Sequence, residues 1–119
     1  MIQKHDELKV VVSHELRGGK GEVTQEHFLD EQKANGAGRL FCKTVLPPGA
    51  SIGVHQHAGD CEVYYMLKGK ALLTDNGNPA EIGPGDVNFC QDGGTHGIEN
   101  IGDTDLEFIA IILYTKQKA

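Results

Sequence analysis

The sequence has no tryptophan, no long apolar run and no cluster of basic residues, and each absence removes a class of protein. The most apolar stretch, 106–114, contains Glu107 and falls well short of the ~20 residues a membrane-crossing helix needs. It reads as a buried strand, not an anchor. A net charge of −6 with scattered Lys and Arg argues against nucleic acid or an anionic membrane surface as partner, because both demand grouped positive charge. No basic helix-turn-helix segment is present. The opening residues, Met-Ile-Gln-Lys-His-Asp-Glu, lack the apolar stretch of a signal peptide. The three cysteines, Cys42, Cys61 and Cys90, are odd in number and form no C-x-x-C pair, so reduced thiols in a cytoplasmic protein are expected. Gly18, Gly19 and Gly21 are followed neither by Gly-Lys-Ser/Thr nor by a long helix, which makes them a flexible loop and not a phosphate loop.

What is present fits one all-β domain spanning 1–119. A chain of this length buries roughly two-thirds of its unfolded surface on folding. The 16 glycines imply many tight turns between short segments. Short runs rich in Val, Ile, Leu, Tyr and Phe, punctuated by Gly, Pro, Asn and Asp, predict antiparallel strands. They fall at 8–13, 21–29, 39–46, 51–55, 62–68, 71–75, 80–82, 87–90, 95–100 and 106–114. Asp75-Asn76-Gly77 predicts a tight hairpin, since Asn and Gly tolerate positive φ. Gly83-Pro84-Gly85-Asp86 marks another turn. Only 30–35 resembles a helical turn.

One group of residues carries chemistry. Alternate side chains of an extended segment point the same way, so His55 and His57 project together, and Glu62 can join them across the turn Ala58-Gly59-Asp60. His96, on a later segment beside its own turn, completes three imidazoles and one carboxylate. A lone His-x-His pair is weak evidence; the set of four is not. Such donors suit Zn, Fe, Mn, Co, Ni or Cu and not calcium, which prefers several oxygens. Four protein ligands on an octahedral ion leave two positions for water or substrate.

The framing residues make the pattern specific. Residues 49–69 read Gly-x5-His-x-His-x4-Glu-x6-Gly, which resembles the first motif of the cupin superfamily at every defined position. A second stretch, Gly85-x5-Gln91-x-Gly93-x2-His96-x3-Asn100, is similar to the second cupin motif. The one departure is Gln91, where the family pattern usually has proline. It removes a residue that stiffens the turn but no ligand. The resemblance spans nearly half the chain. It implies a double-stranded β-helix (jelly-roll) barrel of six to ten strands. It further implies one divalent transition metal per chain, held by His55, His57, Glu62 and His96 near the barrel centre; some cupins keep the motif as scaffold alone. Residues 1–35 read as N-terminal strands and a loop preceding the barrel, 36–119. Related small cupins commonly dimerise through such strands, so a homodimer is expected.

If Glu62 points inward, alternation sends Tyr64 and Met66 inward too, and Val63, Tyr65 and Leu67 outward. Ile98 and Asn100 should follow His96. Tyr64 is the candidate catalytic hydroxyl, with a plain core aromatic as the alternative. Met66, Cys90, Ile98 and Asn100 are candidate pocket-lining residues, although a cysteine such as Cys90 is more often a small buried hydrophobe. Cys61 and Gln56 should face away from the metal. His5, His14 and His27 read as surface or packing residues, and Phe28, Phe41, Phe89 and Phe108 as core.

Two classes of function remain open. A Lewis-acidic ion acting on a small polar metabolite such as a sugar acid would make the protein an isomerase, lyase or decarboxylase. With Fe, Mn or Cu the same centre would activate dioxygen. The alternative is a binding or sensing module that holds a small molecule without turning it over. Fold analogy does not choose between them.

Overall fold

A computed structural model describes residues 1–116, which form ten strands. These are β1 (Lys9–His14), β2 (Glu22–His27), β3 (Gly38–Leu46), β4 (Ser51–Gln56) and β5 (Asp60–Lys68). There follow β6 (Ala71–Asp75), β7 (Asn78–Ile82), β8 (Val87–Cys90), β9 (Thr95–Asn100) and β10 (Leu106–Tyr114). All pair antiparallel, in one sheet ordered β1-β2-β3-β10-β5-β8 and a second ordered β4-β9-β6-β7. The two sheets face each other as a jelly-roll barrel, the all-β architecture expected. β1 and β2 join the same sheet as the barrel strands, so residues 1–35 continue the domain's larger layer. No helix among the described residues is long and apolar enough to cross a membrane.

Alternation explains which side chains fill the space between the sheets. On β5, Glu62, Tyr64 and Met66 are buried, while Tyr65 and Leu67 are exposed. β10 sends Leu106, Phe108, Ala110 and Ile112 inward, and β3 sends Cys42, Thr44 and Leu46. Complete burial of side chains such as Leu46, Met66, Ile98 and Phe108 stabilises the fold by roughly 1.5–3 kcal/mol each. This apolar cluster includes Tyr64, which stacks on His96, so the core runs up to the polar ligands.

Two sequence expectations, both about core phenylalanines, need correction. Phe89 is not core: it is 53% exposed, because the β5–β8 register puts it opposite outward-facing Val63 and gives the inward places to Asn88 and Cys90. Phe41 and Phe108 are buried, and Phe28 is half-buried. Residues 30–36 hold the single helical turn expected there: Lys33 N–H donates to Asp30 Oδ1 at 2.7 Å and Ala34 N–H to Asp30 O at 3.0 Å, and Asn35 and Gly36, at left-handed φ of 55° and 73°, stop it from propagating. Two short 3-10 turns, His5–Glu7 and Leu16–Gly18, have no counterpart in the sequence reading.

Turn chemistry positions the site. Asn76 and Gly77, at φ 48° and 84°, close the β6–β7 hairpin in the mirror-image geometry that suits strand twist. The Asn76 backbone N–H donates to Thr95 O, and Thr95 N–H donates back to Asn76 Oδ1, both at 2.9 Å. The hairpin tip thus grips the first residue of β9. At the β8–β9 turn Gln91 replaces the stiffening proline, and hydrogen bonds tie the loop instead. Gly93 N–H donates to His57 O (2.7 Å), His57 N–H to Gly94 O (3.0 Å), and Gly59 N–H to Asp92 Oδ1 (2.9 Å).

Candidate metal centre

His55, His57, Glu62 and His96 come together, one ligand atom from each lying within 4.8 Å of the others. His55 and His96 are directly opposite across β4 and β9. The path to that pairing includes an irregularity: Ile52 pairs with Ile98 and His55 with His96, so β4 carries one extra residue between them. This bulge lets two residues an odd number apart, Ile52 and His55, both face inward. His57 follows the end of β4 in the loop fastened by Gly93 and Gly94. Glu62 reaches across from β5, in the other sheet.

Each imidazole has one nitrogen committed to an oxygen outside the cluster. The Nδ1 atoms of His55, His57 and His96 lie 2.8 Å from Gly53 O, 2.7 Å from Asp60 Oδ1 and 2.7 Å from Asn88 Oδ1. A carbonyl and a carboxylate can only accept, so Nδ1 is the protonated nitrogen and Nε2 turns its lone pair inward. There, His57 Nε2 and His96 Nε2 lie 3.3 Å apart, and both are about as close to Glu62 Oε1, at 3.0 and 2.9 Å. His55 Nε2 is 3.6 Å from the same oxygen. Four electron-pair donors thus converge on one point with no hydrogen among them. A cation, either a proton on one imidazole or a metal ion, relieves the repulsion among these donors. The donor set, nitrogen with one carboxylate, fits a borderline divalent metal.

The electrostatics agree. Burial resists ionisation of Glu62, but the surrounding imidazoles of His55, His57 and His96 outweigh it and hold the carboxyl far below the usual carboxylate range. The contact with Glu62, opposed by burial and aided by Asp60, raises His57 above an ordinary imidazole. Asp60 is further fixed by Arg39, whose Nε–H donates to Oδ2 at 2.9 Å. Tyr64 is 1% exposed and stacks on His96 with ring centroids 4.6 Å apart and planes 16° from parallel. Burial, and then the Glu62 charge, push its hydroxyl well above the ordinary tyrosine value. Tyr64 therefore keeps its proton.

A cavity of about 150 Å³ opens beside the cluster. His55, His57, Glu62 and Tyr64 form its floor; Arg17, Gln25, Arg39 and Thr44 supply other polar groups, and Leu40, Ile52 and Ile112 part of its apolar wall. Met66, Cys90, Ile98 and Asn100, named from sequence as pocket candidates, are buried but are not in this wall. Met66 and Ile98 belong to the apolar core. Asn100 is bound to backbone, its Nδ2 donating to Leu46 O and Thr104 O and its Oδ1 accepting from Gly102 N–H. Cys90 pairs in register with Glu62. Asp60, Asn88, Thr44 and both arginines were not anticipated. Alternation could have found Asp60 and Asn88, because Asp60 shares a face with Glu62 and Asn88 with Cys90.

The family model described as "Cupin domain" matches residues 43–112. An oxalate-binding protein of Thermotoga maritima is 43% identical over 113 residues, covering 95% of this chain and 93% of its own. A crystal structure of a predicted oxalate decarboxylase from Thermotoga maritima superposes with a TM-score of 0.92 at 43% identity, covering 96% of this chain and 99% of that one. A sugar phosphate isomerase of the same superfamily from Silicibacter pomeroyi, at 18% identity and TM-score 0.73, covers 97% of this chain and 76% of its own, and shares the fold.

Proposed function

The chain belongs to the cupin family, and from that membership we propose that it binds one divalent transition metal through His55, His57, Glu62 and His96 and uses it on a small dicarboxylate of the oxalate type. The observation that carries this reading is the convergence of three Nε2 lone pairs and Glu62 Oε1 on one point, with every Nδ1 anchored elsewhere. When bound, such a metal supplies Lewis acidity toward carboxylate oxygens. The chain's own groups do the rest. Asp60, Asn88 and the Gly53 carbonyl hold the imidazoles in one tautomer and orientation. Leu40, Ile52 and Ile112 keep water from one side of the cavity. The Tyr64 hydroxyl stays protonated and can donate a hydrogen bond to developing negative charge.

Size supports the substrate class. A cavity of about 150 Å³ suits a molecule of roughly six non-hydrogen atoms, the size of benzene, which an engineered cavity of that volume accepts. Oxalate has six. The relative named as oxalate-binding points the same way. The catalytic form of the reading is a lyase that breaks the carbon–carbon bond of the bound acid. Binding alone is the second reading, favoured by the wall itself: among the described residues, Tyr64 is its one phenol, and no carboxylate or imidazole lines it beyond His55, His57 and Glu62.

The deciding experiment combines elemental analysis with oxalate titration and assay of formate and carbon dioxide. Protein purified without chelator should hold about one transition-metal ion per chain. Products formed on adding oxalate, and lost in Glu62→Gln, support the lyase. Saturable binding without products supports the binding module. A metal-free preparation that resists reloading overturns both.

We also infer a homodimer. The larger sheet ends in two uncovered edges, β1 and β8, with Val10 and Val12 exposed on one and Val87 and Phe89 on the other. Unpaired edges and apolar outer faces of this kind need covering. Light scattering at twice the chain mass supports the pairing; the chain mass alone overturns it.

A further inference from the structure

Arg17 and Arg39 are the chain's two arginines, and both line the cavity beside the ligand cluster, whereas no lysine among the described residues does. They arrive from separate elements: Arg39 from the start of β3, Arg17 from the turn Leu16–Gly18 that links β1 to β2. In an acidic chain, bringing both arginines to the edge of one small space concentrates positive charge where a ligand would enter.

Arg39 is fixed through its side chain and Arg17 through its backbone. Arg39 gives its Nε–H to Asp60, the carboxylate that also anchors His57, and has four further N–H donors in a rigid plane. Arg17 sits on a strap, residues 15–21, pressed onto β4. Lys20 N–H donates to Ser51 Oγ and Ser51 N–H to Lys20 O, both at 2.8 Å. The strap and strand are so close that a Cβ on Gly53 would stand 2.0 Å from Arg17 O. Arg17 itself holds left-handed backbone, φ 55°, a conformation that glycine adopts without strain and arginine does not. Strain of this kind persists where the surroundings impose it, and it gathers at ligand sites.

Charge complementarity identifies the ligand. Set Asp60 against Arg39, and Glu62 against half the charge of a divalent ion. Arg17 and the other half of that ion then remain, which together match one dicarboxylate. We propose that Arg17 and Arg39 are the anion-recognition pair of this cavity, receiving the carboxylate of a small dicarboxylate and selecting dianions over monoanions. This rests on the metal reading given above. Guanidinium suits the task because its planar donors meet both oxygens of a carboxylate, which an ammonium does not.

Calorimetric titration of the metal-loaded protein with oxalate, malonate and acetate tests the pair, with metal content measured on every sample. Oxalate or malonate should bind at least tenfold tighter than acetate. Arg17→Gln and Arg39→Gln should each weaken the dianion about tenfold or more and acetate much less. Arg39→Lys should not restore it. Lys70→Gln, the loss of one positive charge outside the cavity wall, should leave binding unchanged. Arg39 also bears on Asp60, so if Arg39→Gln loses metal, Arg17→Gln alone decides. Dianion binding as tight in Arg17→Gln as in the wild type overturns the proposal while the metal reading stands. Metal uptake with no preference for dianions does the same. A protein that takes no metal overturns the metal reading, and this proposal with it.

Discussion

Asn88 and His96 belong to different sheets, and the 2.7 Å contact between Asn88 Oδ1 and His96 Nδ1 joins them at the level of the ligand cluster. The bond presents His96 Nε2 to its neighbours, while Tyr64 supports the ring by stacking on its face. Asn88→Ala removes the acceptor and leaves the ring free to turn. Metal affinity should fall 10- to 100-fold, the usual effect of losing such a support. Competition with a chromophoric chelator gives the number, and an unchanged affinity would show that stacking alone orients the ring.

The titration of the cluster sets a pH dependence with a definite sign. His57 is raised from its ordinary 6.5, so in metal-free protein its contribution to stability is fully present below that value and is lost as pH rises through the raised one. Glu62 is lowered from 4.5; its contribution is present above that value and is lost as pH falls. Chelator-treated protein should therefore melt highest in mild acid, between about pH 4.5 and 6.5, and lower toward pH 8. Metal requires neutral His57 and should stabilise most on the alkaline side, with release of protons on binding. Melting curves with and without chelator at pH 5.5 and 8 test this. A metal-free protein that gains stability from pH 5.5 to 8 contradicts it.

Gly53 serves two partners through the absence of a side chain and the placing of its carbonyl. Gly53→Ala would drive a methyl into Arg17 O and displace the strap. The expected cost is about 1–3 kcal/mol, as for other overpacked sites. Because Gly53 O also faces His55 Nδ1, metal affinity should drop with it. A variant that melts and binds metal like the wild type would mean the strap is not clamped.

Thiol chemistry distinguishes the three cysteines. Burial pushes Cys42 and Cys90 up to about 11, which leaves almost no thiolate at pH 8. Cys61 is only half-buried. An aromatic disulfide reagent should titrate one thiol quickly in native protein and all three after denaturation. Mass spectrometry would place the fast label on Cys61; rapid labelling of Cys42 or Cys90 would mean the barrel opens on that timescale.

The ligand quartet was legible in the sequence because its spacing reports geometry directly. His55 near the end of β4 and His57 just past it stand two residues apart, and the glycines framing them mark the turns that bring Glu62 and His96 near. The strands were legible for the same reason, through alternation and punctuation. Alternation alone does not say which face of a strand is inward, and β8 shows the consequence: Phe89 is the most apolar residue of that strand, yet the inward place goes to Asn88, which His96 needs. Nor does it reveal that β1 and β2 extend the larger sheet past β3 and carry Arg17 to a centre built from β4, β5 and β9. That placement comes from sheet order, which no local pattern encodes.

The grip of Asn76 on Thr95 bears on how this barrel can be engineered. An exposed Asn-Gly hairpin tip is where a peptide tag or a second domain would ordinarily be inserted with least harm. Here the two hydrogen bonds at that tip hold the first residue of β9, and the next residue is His96. An insertion at Asn76–Gly77 would loosen a ligand twenty residues downstream, so the benign-looking loop is a remote handle on the metal.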